Sequence, residues 1–145
     1  MNRTHCIIVL WLFRLPQIGV ADDIPPITAP PPKLYRLVVI DDSGSMATDN
    51  RIGMVRDELT KQLQQLPPSR EYPIAIVTFG SSAKPAKTFF DLKSATEFLG
   101  TLNASSGGTS IAAGLAEANA ELKNATTVSS VWVMLYSDGE DSDST

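Results

Sequence analysis

Two apolar runs in this chain lack the polar alternation of a strand with one face in water: Leu37-Val38-Val39-Ile40, and the "VWVMLY" that closes the stretch Val128 to Tyr136. Short, β-branched runs of this kind belong to strands covered on both faces, which requires a sheet sandwiched between helices. The intervening sequence supplies the helices. Arg51 to Leu66 carries Ile52, Val55, Leu59, Leu63 and Leu66 at helical spacing, and Pro67-Pro68 closes it. Leu92 to Leu102 and Ile111 to Leu122 read as two further helices, the second rich in alanine. Tyr72 to Phe79 ("YPIAIVTF") is a strand entered through Pro73 and stopped at Gly80. Lys87 to Phe90 follows after so brief a link that a hairpin is expected, making it an antiparallel edge strand that Pro85 helps blunt. Leu34 to Ile40 is the first strand and Val128 to Tyr136 the fourth. This alternation predicts an α/β domain with a doubly wound, mostly parallel sheet.

The front of the chain reads differently. Residues 1–21 pair a short, mildly basic start with the apolar run Cys6 to Phe13 and end in Gly19 and Ala21, the small residues a signal peptidase reads. The expectation is a signal peptide cleaved after Ala21 and a secreted or periplasmic protein, membrane-anchored if the signal stays uncleaved. The apolar run is too short to span a bilayer, which takes about 20 residues, so the mature chain is not expected to insert. Residues 22–33 ("DDIPPITAPPPK") hold five prolines and read as an extended linker. Residues 34–145 form the expected domain.

Cleavage would remove the only histidine, His5, and the only cysteine, Cys6. Without them there is no Ser-His-Asp chemistry, no thiol nucleophile and no zinc site of the usual kind, so a bound metal has to be held by oxygen. A net charge of -4 without any lysine or arginine cluster argues against nucleic acid as a partner.

In doubly wound sheets, ligands bind beyond the carboxyl ends of the strands. The polar residues gather there: Asp41, Asp42, Ser43 and Ser45 after the first strand, Thr109 in the loop "SGGTS" before a helix, and Ser137-Asp138-Gly139 after the fourth strand. Taken singly, each has a simpler reading. Ser43 or Ser45 could cap the helix at Arg51, Thr109 or Ser110 the helix at Ile111, and "SDG" could be an ordinary turn. Taken together, they are hard oxygen donors of the kind that suits Mg²⁺, Mn²⁺ or Ca²⁺. Hydroxyl ligands leave the charge of such an ion unneutralised, so it stays electrophilic and open to an outside ligand.

The three pieces, Asp41-x-Ser43-x-Ser45, Thr109 and Asp138, resemble the von Willebrand factor A domain and its metal-ion-dependent adhesion site, and the resemblance runs from Leu34 to about Asp141. It implies a Rossmann-like fold with sheet order 3-2-1-4-5-6. It implies Ser43 and Ser45 as direct metal ligands, Thr109 as a direct ligand in the high-affinity arrangement, and Asp41 and Asp138 acting through water. Asp138 would become direct when Thr109 lets go. The partner would be a protein that offers an acidic side chain to the metal, and no enzymatic activity is implied. Asp42 fills the variable position, a bystander adding negative potential, while Glu140, Asp141 and Asp143 read as a solvated acidic tail.

Two rivals share these residues. A receiver-like phosphoacceptor domain also opens with an apolar strand into an acidic pair that binds Mg²⁺, but its phosphoacceptor would have to be Asp91, behind the weak strand "KTFF", and no lysine after a fifth strand completes the set. A haloacid-dehalogenase-type phosphohydrolase needs an acid where Ser43 stands. Finally, doubly wound domains of this type usually need roughly 170–200 residues, and the sequence stops just after its fourth strand. The expectation is therefore a fold truncated there, with Val128 to Tyr136, apolar enough for a central strand, left at the edge and prone to aggregate.

Overall fold

The computed structural model describes residues 34–125 and 130–139. The expected signal peptide, the proline linker and the acidic residues Glu140, Asp141 and Asp143 lie outside them. The strands are β1 (Leu34–Asp41), β2 (Ile74–Phe79), β3 (Lys87–Phe89) and β4 (Ser130–Tyr136), and the helices are α1 (Arg51–Gln65), α2 (Leu92–Thr101) and α3 (Ile111–Asn124). Between β1 and α1 a 3₁₀ segment, Gly44–Asn50, is broken at Thr48 and Asp49.

The sheet order is β3-β2-β1-β4. β1 pairs in parallel with both β2 and β4, while β3 runs antiparallel to β2, so the expected hairpin edge is observed. Both faces of the sheet are covered, which explains the unbroken apolar runs. Val38, Ile40, Ile74, Ile76 and Met134 pack under α1 and α2, through Val55, Leu59, Leu63, Ala95 and Leu99. Leu37, Val39, Ala75, Val77 and Phe79 face α3. Each large aliphatic side chain buried in these layers contributes about 1.5–3 kcal/mol. α3 comes so close to the sheet that a Cβ on Gly114 would lie 2.6 Å from the Phe79 ring.

α1 follows β1 on one face, while α3 precedes β4 on the other. The helices therefore part company between β1 and β4, which opens a crevice at the carboxyl ends of these two strands. Among the described residues β4 has one neighbour, and Val131, Trp132, Val133 and Leu135 remain partly exposed. Its composition suits a central strand, but its place in the sheet order is marginal. No helix among the described residues is long and apolar enough to cross a membrane.

Candidate metal centre

β1 ends by turning its last carboxylate inward. Asp41 is fully buried; its Oδ1 accepts the backbone N–H of Ser43 at 2.9 Å and its Oδ2 accepts the Ser137 hydroxyl at 2.8 Å. The first bond closes the turn after β1, and the second ties that turn to the loop after β4. Ser43 is also fully buried, and its Oγ lies 3.0 Å from Ser45 Oγ. The side chain of Ser43 makes no capping bond to the 3₁₀ segment, and that of Asn50 makes none to α1. Capping therefore does not account for Ser43.

The loop before α3 is bonded to the β1 turn through its backbone. Gly44 N–H donates to Gly107 O at 3.2 Å, and the Ser105 N–H and hydroxyl both donate to Asp42 O, the hydroxyl at 2.8 Å. On the β2 side Ser110 N–H donates to Gly80 O at 2.8 Å and Gly108 N–H to Ser81 Oγ at 2.9 Å. The two loops meet closely at Gly80, where a Cβ would come into contact, at 3.4 Å, with Asp42 Oδ1, Gly108 O and Ser105 Oγ together. Within this loop the capping role falls to Ser110, whose side chain accepts from Ala113 N–H at 3.3 Å. Thr109, buried beside it, is not the cap.

Asp138 lies beyond β4 with its side chain 5% exposed, and its Oδ2 accepts from Arg51 Nη1 at 2.6 Å. Asp41, Ser43, Ser45 and Ser137 thus form one hydrogen-bonded group, while Asp138 is engaged by Arg51 and Thr109 lies in the adjoining loop. Asp42 is not the bystander expected from its position. It is buried, its side chain pairs with Lys84, and its backbone anchors both β2 and the Ser105 loop. Its negative charge is largely offset within the fold. Sequence reasoning also gave no role to Ser137, Lys84 or Arg51. The one available signal was a cation at the first position of a helix, where the dipole disfavours it.

Among the described residues no group of three acidic, histidine or cysteine side chains converges, so any metal here depends on the hydroxyls. They fit one. Two ligands on adjacent corners of an octahedron with bonds of 2.0–2.1 Å stand about 3 Å apart, the spacing of the Ser43 and Ser45 oxygens. Neighbouring ligands in the equatorial plane of a seven-coordinate Ca²⁺ stand about 3 Å apart as well, so the pair admits either size of ion.

The receiver-like alternative does not fit the fold. Asp91 follows the antiparallel β3, whose Phe89 pairs with Ile74 at the start of β2, at the opposite end of the sheet from Asp41. Its carboxylate caps α2, accepting from Ser94 N–H at 2.7 Å. This hydrogen bonding to Ser94 lowers its pKa.

Comparison with known proteins agrees with this architecture. None of the curated proteins matches the sequence at a significant level. An uncharacterized membrane-spanning protein from Vibrio fischeri aligns at 25% identity and TM-score 0.53, over 65% of this chain and 52% of that one. Proximal thread matrix protein 1 from the mussel byssus, in a structure with a zinc-occupied MIDAS motif, aligns at 19% identity and TM-score 0.59, over 67% of this chain and 26% of that one. The vWF domain of the type V pili tip protein Mfa5 from Porphyromonas gingivalis aligns at 20% identity and TM-score 0.57, over 72% of this chain and 37% of that one. The chain thus spans about half the length of the Vibrio protein and about a quarter of the mussel protein. Residues 37–140 match the von Willebrand factor type A domain family, and with its sheet order, flanking helices and strand-end crevice the chain belongs to that family.

Proposed function

We propose that this domain binds a partner protein through a divalent cation, Mg²⁺ or else Mn²⁺ or Ca²⁺, held by Ser43, Ser45 and Thr109 with Asp41 and Asp138 acting through water. The observation that carries this reading is the Ser43–Ser45 hydroxyl pair, 3.0 Å apart on a turn held by buried Asp41. The bound ion would supply an electrophilic position that an acidic side chain of the partner completes. Asp41 orients the turn rather than neutralising the ion, and the hydroxyls leave its charge undiminished. The reading assigns no catalysis to the domain. An exported, adhesive setting is supported by analogy with the pilus-tip and byssus-matrix proteins that share the fold.

Calorimetric titration of the full chain tests the ion. Mg²⁺ or Mn²⁺ should bind and raise the melting temperature by mass action, and Ser43→Ala should lose most of both effects. A folded protein that takes up neither ion at millimolar concentration would rule the reading out. Chelator should in turn abolish capture of an acidic partner.

A further inference from the structure

Arg51 is the first residue of α1, where the aligned peptide dipoles make a positive charge unfavourable. The chain reaches it through Asp49 and Asn50, both left-handed at φ of 53° and 55°. Residues other than glycine adopt that conformation at a cost, which Asp and Asn bear best. The first turn of α1 contains no acid and its N-cap makes no side-chain bond. The start of the helix thus forgoes its usual stabilisation and presents a guanidinium instead. Nη1 donates to Asp138 Oδ2 at 2.6 Å, while the buried Nε finds no acceptor among the described residues.

We propose that Arg51 is a built-in competitor for the cation, so that the affinity of the site is set by how firmly this guanidinium holds Asp138. The proposal deepens the cation-binding reading and rests on it. An Asp138 carboxylate that acts on the ion, directly or through water, does so while Arg51 holds its Oδ2, and two cations sharing one carboxylate repel each other. Once displaced, the side chain has somewhere to go. A cavity of about 560 Å³ opens beside Arg51 and Asp138, and one further cation, Lys61, lines it together with three acids, Asp49, Asp57 and Glu58. Those acids offer the guanidinium a second berth, so cation entry is coupled to the swing of one side chain. Arg51 therefore keeps Asp138 compensated until an ion arrives, and it makes weakly held cations poor occupants.

The test titrates Mg²⁺ into the full chain as wild type, Arg51→Gln and Arg51→Lys, by calorimetry, and follows the Arg51 side-chain Nε–H resonance of the wild type by NMR. Arg51→Gln should bind about tenfold more tightly, the scale of one charge-assisted hydrogen bond. Arg51→Lys should fall between the two, and the Nε–H resonance should move as Mg²⁺ is added. Equal affinity in wild type and Arg51→Gln with an unmoved resonance overturns the proposal and leaves the cation site standing. Weaker binding by a folded Arg51→Gln also overturns it, since Arg51 would then be part of the cradle. Absence of Mg²⁺ binding in all three proteins removes the cation site itself, and the proposal with it. Should Arg51→Gln fail to fold, the lysine variant and the wild-type resonance decide.

Discussion

β1 and β4 end in the same crevice and carry similar apolar runs, yet they are held differently. β1 has a neighbour on each side, and every residue from Tyr35 to Asp41 is buried. Among the described residues β4 has one neighbour, and within the strand Met134 and Tyr136 are the buried positions. The loops after them follow suit. Backbone bonds anchor the β1 turn to β2 and to the loop before α3, whereas the β4 loop is tied in by side chains, Ser137 to Asp41 and Asp138 to Arg51. Similar hydrophobicity therefore accompanies a turn held by backbone bonds after one strand and a loop held by side chains after the other. Position in the sheet, not composition, makes the difference.

The sharpest way to break this comparison is to remove equal side chains from the two strands. Leu37 and Leu135 both pack on the α3 face. Leu37→Ala should cost about 3–5 kcal/mol, as for a fully enclosed leucine, and Leu135→Ala about half of that, measured by urea unfolding. Equal losses would mean that β4 is as enclosed as β1.

The two aspartates give a smaller contrast. Asp41→Ala leaves the Ser43 N–H and the Ser137 hydroxyl without their acceptor in a buried turn, a loss of about 3 kcal/mol. Asp138→Ala breaks a pair whose carboxylate is 5% and whose arginine is 20% exposed; with Arg51 bordering an open cavity, it should cost less, about 2 kcal/mol. Both belong in EDTA, so that ion binding does not enter the balance. If Asp138→Ala proved the more costly, the β4 loop would be the structural half.

Alkaline pH gives the third. Burial, with help from a hydrogen bond to Glu121, pushes the Tyr35 phenol on β1 up to about 12. Tyr136 on β4 is also raised, by burial. An unfolded tyrosine releases its proton near pH 10, so the unfolded chain ionises first. The contribution of Tyr35 is complete below pH 10 and is lost as pH rises towards 12, amounting to about 2 kcal/mol. Tyr35→Phe should flatten that limb of the stability profile more than Tyr136→Phe does. The reverse order would place the tighter burial on β4.

Much of this was legible in the residues. Helical spacing at Ile52, Val55, Leu59 and Leu63 located α1, and the unalternated runs located β1 and β4, because burial on one stripe or on two faces leaves its own periodicity. Hydroxyl and carboxyl groups at strand ends marked the crevice. What could not be read were pairings between distant parts of the chain. Arg51 meets Asp138 across 87 residues and Lys84 meets Asp42 across 42, contacts fixed by sheet order and register. Thr109 and Ser110 were equally plausible caps until the path of the loop chose Ser110. The broken 3₁₀ segment gave no periodic signal, since its left-handed Asp49 and Asn50 are local backbone choices.

The backbone bonds that join Gly44 to Gly107, Ser105 to Asp42 and Ser110 to Gly80 have a kinetic consequence. A cradle stitched together before its guest arrives has little loop ordering left to do. For the cation of the proposed site, the slow event on entry would then be the ion's own surrender of water, which Mg²⁺ gives up reluctantly. Mn²⁺ and Mg²⁺ should therefore differ in exchange rate by the lability of their hydration shells, with the backbone of the β1 turn acting as a fixed mould and only the Arg51 side chain moving.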